Sequence, residues 1–394
     1  MNKAENNPSK CPICGRSTHK ESKYCIFHAS AEEKTEREFK EALKEYVEKI
    51  KKEDGDYDFK KFIFVGNINF KEDLNITIFK NANLNLATFE GNVDLIGATF
   101  ERDAYLIGVT FEGDATFSEA NFAGCATFNR STFKSYASFF EATFEENAYF
   151  SKVDFKGDTN FNESIFKKNV SFIRAIFKKN ASFVDATFKG DVGFSMAAFK
   201  GYANFNESTF KAYASFFEAT FEEVVTFYEV VFKGDASFVG AIFEGDVTFE
   251  FICLFKDLIL SEVKVFPGKK LFLNVIKEKG AITFNRIYLE NVFLDLKLAE
   301  GVLIDFSDAL LSNTKIKKQQ IENHILQENE KKFTKAKEIF LLLKNNFHSI
   351  GQYEDENWAF KKEKDMERKS YFHFKSLYKW LSLYFLNRIF GYGI

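Results

Sequence analysis

Residues 115–122 read Ala115-Thr116-Phe117-Ser118-Glu119-Ala120-Asn121-Phe122, so a small side chain stands two places before each phenylalanine. The same phrase recurs on both sides of this stretch. Phenylalanine occupies position 89 and every eleventh residue through 243, and a second series at the same spacing runs from 95 to 249. The second series opens with Leu95 and Leu106 and is phenylalanine thereafter, so 28 of the chain's 52 phenylalanines lie on one lattice. The thirty residues two places before a lattice site are 18 Ala, 8 Val, 3 Ser and 1 Thr. A small residue and a large one two apart point to the same side of an extended strand, so both face inward.

The spacing alternates between six and five, and a period of eleven also suits a right-handed helical coiled coil. The residues between lattice sites exclude that reading. They are rich in Gly, Asp, Asn, Thr and Ser, as in Lys156-Gly157-Asp158 and Lys233-Gly234-Asp235, which are poor helix formers and good turn formers. Short inward-facing strands separated by turns and stacked on their neighbours make a β-solenoid. The unit A-x-F-x-x, as it stands from Ala87 to Phe249, resembles the pentapeptide-repeat family. That resemblance implies a right-handed quadrilateral β-helix. Weaker units such as Ala82-Asn83-Leu84 and Ala309-Leu310-Leu311 extend the solenoid to residues 57–312.

Every second unit carries one extra residue, so four units make a coil of about 22 residues. The charges carry the same period. Glu119, Glu141, Glu163, Asp185, Glu207 and Glu229 recur at steps of 22, and the sites halfway between, Arg130, Lys152 and Arg174, are basic. Opposite signs half a coil apart are expected on opposite sides of the coil. Roughly eleven coils stacked at about 4.8 Å give a solenoid about 50 Å long. Pairs four residues apart, such as Glu163 with Lys167 and Asp185 with Lys189, are expected to neutralise the acidic side.

Four further segments flank the repeats. Cys11-Pro12-Ile13-Cys14 and Cys25-Ile26-Phe27-His28 form a C-x2-C-x10-C-x2-H pattern within residues 1–30. Two tight turns, each offering two soft or borderline ligands, suit one tetrahedral structural Zn²⁺; His19 is an alternative fourth ligand at a poorer spacing. The segment resembles the N-terminal zinc module of some large pentapeptide-repeat proteins. Residues 31–56 read as a capping helix and linker, with Phe39, Leu43, Tyr46 and Ile50 on one stripe. Residues 313–370 read as a helical hairpin, helical over 315–349 and 353–369, that caps the last coil and resembles a single tetratricopeptide-type pair. Residues 371–394 form an aromatic amphipathic segment. Trp380, Leu381, Tyr384 and Phe385 are its candidate membrane contacts, and a homodimer seam is the competing use.

Composition narrows the function. The chain has 54 basic and 57 acidic residues, a formal net charge of −3, which does not suit a nucleic-acid binder. Histidine is absent from 29 through 323, and no nucleophile elbow, P-loop or dinucleotide fingerprint is present, so no enzyme, catalytic residue or small-molecule substrate is expected. No apolar leader opens the sequence and the cysteines cluster as metal ligands do, which predicts a cytoplasmic protein, with the inner face of the membrane as a peripheral site. One stretch of surface collects Arg130, Lys134, Lys152, Lys156, Arg174, Lys178 and Lys200. These form a candidate patch for an acidic partner, against the plainer expectation of a solvated face balanced by Asp154 and Asp158. The reading is a non-enzymatic scaffold for protein–protein interaction. A membrane-associated protein docking through its last segment is one alternative. The other is a DNA mimic that binds a type II topoisomerase, as the resemblance implies for some family members; here residues 57–312 carry 26 basic and 35 acidic groups.

Overall fold

The structure, a computed structural model, describes residues 10–53, 55–277, 281–371 and Tyr384. The chain divides into two compact units, residues 1–211 and 212–394.

In the first unit the chain winds through four strand faces per coil. Tyr57, Ala82, Ala104, Ala126, Ala148, Val170 and Val192 stack in parallel register on the first face. Ile63, Thr88, Thr110, Thr132, Asp154, Ile176 and Ala198 mark the second. The third runs through Val93, Ala115, Ala137, Thr159, Ala181 and Ala203. The fourth runs through Thr99, Asn121, Thr143, Ile165, Thr187 and Thr209. From Ala82 onward each partner on the first face lies one coil of about 22 residues away, the length that the lattice implies. The first coil is longer. Tyr57 pairs with Ala82, and beside them Asn81 Nδ2 donates to Asp56 Oδ1 across 25 residues, because a helical turn, α2 (Phe70–Leu74), is inserted.

The lattice phenylalanines fill the interior as parallel stacks. On the first face Phe128, Phe150, Phe172 and Phe194 stand 4.8–4.9 Å apart with nearly parallel rings. Rings of the first and third faces meet edge to face, as Phe128 does with Phe117 and Phe139 at 5.4 Å. Offset stacks along the axis and T-shaped contacts across it satisfy the ring quadrupoles in both directions. These side chains are fully buried, and each contributes roughly 1.5–3 kcal/mol.

The corners use two kinds of turn. After the first and third faces the chain turns through two residues, the second with positive φ. Glu119, Arg130, Glu141, Lys152, Glu163, Arg174, Asp185 and Glu207 all hold φ between 55° and 61°. After the second and fourth faces the turn has three residues, the last usually Asn or Asp. Its side chain accepts the backbone N–H one coil on, as Asn129, at the other kind of corner, also does for Ser151: Asn180 Oδ1 takes Tyr202 N at 3.1 Å, and Asp158 Oδ1 takes Asn180 N at 3.0 Å.

At the N-terminal end α1 (Glu36–Glu53) buries Phe39, Leu43, Val47 and Ile50. Tyr46 is only half-buried, its hydroxyl donating to Asp58 O at 2.9 Å. The helix begins at Glu36; residues 31–33 form a separate 3₁₀ turn. Phe39 meets Phe64 edge to face at 5.5 Å, so the helix covers the open face of the first coil.

The second unit continues the four-face plan within its own residues. Ala214, Ala236, Leu258, Ile282 and Ile304 stack on one face. The coil lengthens where Leu258 pairs with Ile282: Ala281 N donates to Asp257 Oδ1 across 24 residues. Here leucine and valine take most of the lattice sites, as at Leu260, Val265 and Leu273, although Phe284 and Phe306 still stack at 5.2 Å. Past Ser312 the expected helix from 315 does not form. Residues 318–320 make a 3₁₀ turn, α3 (Leu326–Asn329) is one turn, and the long helices are α4 (Phe333–Ser349) and α5 (Tyr353–Ser370). The intervening backbone instead closes the last coil: Leu294 N donates to Lys315 O, and Ile304 N to His324 O. An open sheet edge offers unpaired donors, and this pairing outweighs the helix propensity of a Lys- and Gln-rich segment. Asn346 of α4, fully buried, accepts from Thr314 N and donates to Thr314 O, fixing the hairpin to that cap. Trp380, Leu381 and Phe385 lie outside the described residues. Tyr384 is half-buried with the Arg368 guanidinium 5.9 Å from its ring centre. No helix among the described residues is long and apolar enough to cross a membrane.

Candidate functional site

The N-terminal turns bring Cys11, Cys14, Cys25 and His28 together, with their ligand atoms all within 4.8 Å of one another. The first turn is a knuckle: Cys11 N donates to Arg16 O, and Gly15, at φ 71°, returns its N–H to Cys11 O. In the second turn the N–H groups of His28 and Ala29 both reach Cys25 O. Cys14 Sγ lies 3.5 Å from Cys25 Sγ, and His28 Nδ1 lies 3.2 Å from Cys25 Sγ and 3.6 Å from Cys11 Sγ. Metal bonds of about 2.3 Å to sulfur and about 2.0 Å to nitrogen would hold tetrahedral ligands about 3.5–3.8 Å apart, so the donor set fits one ion. His19 stands apart from the cluster, 3.9 Å from Glu38 Oε2, so His28 is the fourth member.

The surroundings prepare these groups as ligands. His28 Nε2 lies 3.1 Å from the carbonyl oxygen of Lys60, which requires Nε2 to carry the proton and leaves the Nδ1 lone pair facing the sulfurs. Burial lowers the His28 pKa and keeps the ring neutral. Burial pushes the Cys25 thiol up to about 12. Cys11 is also raised by burial, but N–H groups of Cys25, Ile13 and Cys14 outweigh this and bring it below its ordinary value. A thiol held protonated in this way becomes a thiolate only when a cation replaces its proton. The nearby positive charge suits a centre with three thiolates. Arg16 lies over the Tyr46 and Phe27 rings at 4.7 and 5.3 Å and hydrogen-bonds toward Cys14. Lys34 is no full charge beside it: burial lowers its pKa to about 7, and it serves as a buried donor to Ile26 O and Ile63 O at 2.7 Å. These supports escaped the sequence reading. Lys60 acts through its carbonyl, which no residue pattern encodes, and nothing in the spacing marks Lys34.

The seven candidate basic residues stand at two corners on either side of the second face. Arg130, Lys152 and Arg174 occupy positive-φ turn positions at one corner, and Lys134, Lys156, Lys178 and Lys200 follow the second face at the other. Lys134 pairs with Glu112 at 2.7 Å and Lys178 with Asp154 at 3.2 Å; Arg174 Nε meets Met196 Sδ at 3.3 Å. Arg130, Lys152 and Lys156 make no ion pair among the described residues. The expected pairs four apart do not form either. Lys167 pairs with Glu145 at 2.7 Å, one coil earlier, while Glu163 and Asp185 make no ion pair among the described residues. Four places along the chain cross a whole face, whereas a step of one coil, as from Glu145 to Lys167, returns to the same corner. Ion pairs in this solenoid are read between coils.

Four segments, residues 77–121, 117–165, 172–220 and 216–264, match the family model for pentapeptide repeats (9 copies), the first two overlapping and the last two likewise. The solenoid is a pentapeptide-repeat domain. No curated protein and no solved structure was found to match the chain. Pentapeptide-repeat solenoids are commonly protein-interaction scaffolds and generally lack catalysis. Phenylalanine fills the interior of this pentapeptide-repeat domain along the lattice, which leaves its charged side chains at the corners.

Proposed function

We propose that this protein is a non-enzymatic scaffold whose outer corners dock a protein partner, and that its Cys₃His cluster holds a structural zinc ion. The observation that carries the scaffold reading is the pair of basic columns beside the second face. Arg130, Lys152 and Lys156 stand without an ion pair among the described residues, on a backbone held rigid by the ring stacks. Like charges one coil apart repel, and an acidic partner relieves that repulsion at both corners. Zinc is favoured by three sulfurs and one imidazole in a closed set of four. Zinc would supply cross-linking there, and the residues supply the pre-set tautomer and the burial. A cytoplasmic location agrees with free thiols used as ligands.

The membrane reading rests on Trp380, Leu381, Tyr384 and Phe385. Liposome flotation of the full chain against a chain ending at 370 tests it; equal flotation removes it. The DNA-mimic reading has less support, because basic columns interrupt the acidic surface such a mimic requires. Charge reversal at Arg130, Lys152 and Lys156 tests the scaffold. Capture of an acidic partner from the native host is expected to fall at least about tenfold with an unchanged melting temperature. Capture indifferent to the reversal leaves these columns as a solvated face.

A further inference from the structure

The two charged corners of the first unit are complementary to each other. Arg130, Lys152 and Arg174 follow the first face, and Glu119, Glu141, Glu163, Asp185 and Glu207 follow the third, so the two columns occupy diagonal corners of the same coils. All eight residues are exposed, and all eight adopt the same positive-φ turn conformation, between 55° and 61°. None of the five acids makes an ion pair among the described residues. On one molecule the two columns point away from each other and cannot meet.

We propose that the acidic column of one copy docks against the basic column of a second copy of this chain, side by side and with their axes parallel. This deepens the scaffold reading, and rests on it, by naming one partner of the basic corner. Three observations support the pairing. The columns have opposite sign. They share a spacing of one coil, about 4.8 Å, so aligning one pair of charges brings the next pairs into register without adjustment. A double-stranded nucleic acid, whose phosphates recur at about 3.4 Å along each strand's axis, offers no such match. Apolar side chains also flank both columns: Ile173 is 41% exposed beside Arg174, Met196 is 40% exposed in the next turn position, and Phe140 and Val184 are half-buried beside Glu141 and Asp185. The contact is a ridge against a ridge. Two convex corners in contact bury little surface, so the association is expected to be weak and salt-dependent. Because the two surfaces differ, it is heterologous and can extend to further copies.

The test is sedimentation velocity on the full chain. At about 0.02 M salt the mean mass is expected to rise with protein concentration, and at about 0.5 M salt it is expected to stay that of a monomer. The triple variants R130E/K152E/R174E and E119K/E141K/E163K are each expected to remain monomeric alone at low salt, since each then carries like columns. Mixed in equal amounts they are expected to associate again, which a misfolded chain would not do. A milder variant, E141Q/E163Q, is expected to weaken association at least about tenfold while its circular dichroism is unchanged. Wild-type monomers at every concentration, or variants that associate as the wild type does, overturn the proposal. Either result would leave the scaffold reading to be decided by its own foreign-partner capture experiment.

Discussion

His28 Nε2 donates a hydrogen bond to the carbonyl oxygen of Lys60 at 3.1 Å, so a member of the Cys₃His cluster and the first solenoid coil share one contact. A second link runs beside it, from Ile63 N to Phe27 O at 2.8 Å, and the Phe27 ring stacks on Phe62 at 4.6 Å. The two turns that carry the Cys₃His cluster therefore belong to the N-terminal cap. Without the ion the cluster brings three thiols and an imidazole together with no cross-link to offset the entropy of ordering them. Purified protein is expected to carry about one zinc per chain. Removing the metal, or replacing Cys25 with Ser, is expected to raise amide exchange in α1 and residues 57–64 by about tenfold or more, with residues 126–200 unchanged. Equal protection with and without metal would separate the centre from the cap.

Metal uptake should also release protons. In the metal-free chain burial holds the Cys25 pKa at about 12, so near pH 7 this thiol is protonated and zinc must displace its proton. The sign follows directly: lowering the pH supplies the competing ligand and weakens binding. Each displaced proton makes the apparent affinity fall about tenfold per pH unit. Competition with a chromophoric chelator at about pH 7.5 and about pH 6.5 measures the fall. An affinity independent of pH would mean that Cys25 is not a ligand.

The interior can be tested at Phe172, which is fully buried between Phe150 at 4.9 Å and Phe194 at 4.8 Å. Phe172→Asp places an unpaired charge among aromatic rings and is expected to cost several kcal/mol, about 4 or more. Phe172→Leu keeps an apolar side chain and is expected to cost about 1–2 kcal/mol, since leucine already fills the equivalent sites at 84 and 106. Thermal melting followed by circular dichroism separates the two. A Phe172→Asp protein melting as the wild type does would place this ring outside the core.

The contrast between what the sequence revealed and what it hid has a physical basis. The period of eleven was legible because each ring must lie over the ring one coil away, and a missed repeat would open a void. The convergence of Cys11, Cys14, Cys25 and His28 was legible because metal coordination demands particular side chains at particular spacings. Ion pairs were misread because Glu163 and Lys167 are neighbours in the chain but stand a face apart, while Lys167 and Glu145 are neighbours in space. The segment after 315 was misread because its composition favours helix, whereas Leu294 and Ile304 needed backbone acceptors that only an extended partner provides. The longer coils, from Tyr57 to Ala82 and from Leu258 to Ile282, occur where an inserted turn interrupts the phenylalanine lattice or leucine and valine replace it. There the repeat no longer dictates the length.

Glu141 tests the turns that carry the charged columns. Its φ of 55° lies in the left-handed region, where a side chain is crowded by its own carbonyl. Glycine takes this conformation without that cost, and Gly97 and Gly108 hold φ of 63° and 65° at equivalent positions two coils and one and a half coils earlier. Glycine also loosens the unfolded chain, which works in the opposite direction. Glu141→Gly is therefore expected to change stability by less than about 1 kcal/mol. A β-branched residue suffers most in this region, so Glu141→Val is expected to destabilise by about 1–2 kcal/mol although no contact of the glutamate is lost. Denaturant melts of the two variants under identical conditions give the difference directly. If valine were tolerated as well as glycine, the turn would not impose the left-handed conformation, and the regular outward display of both charged columns would need another cause.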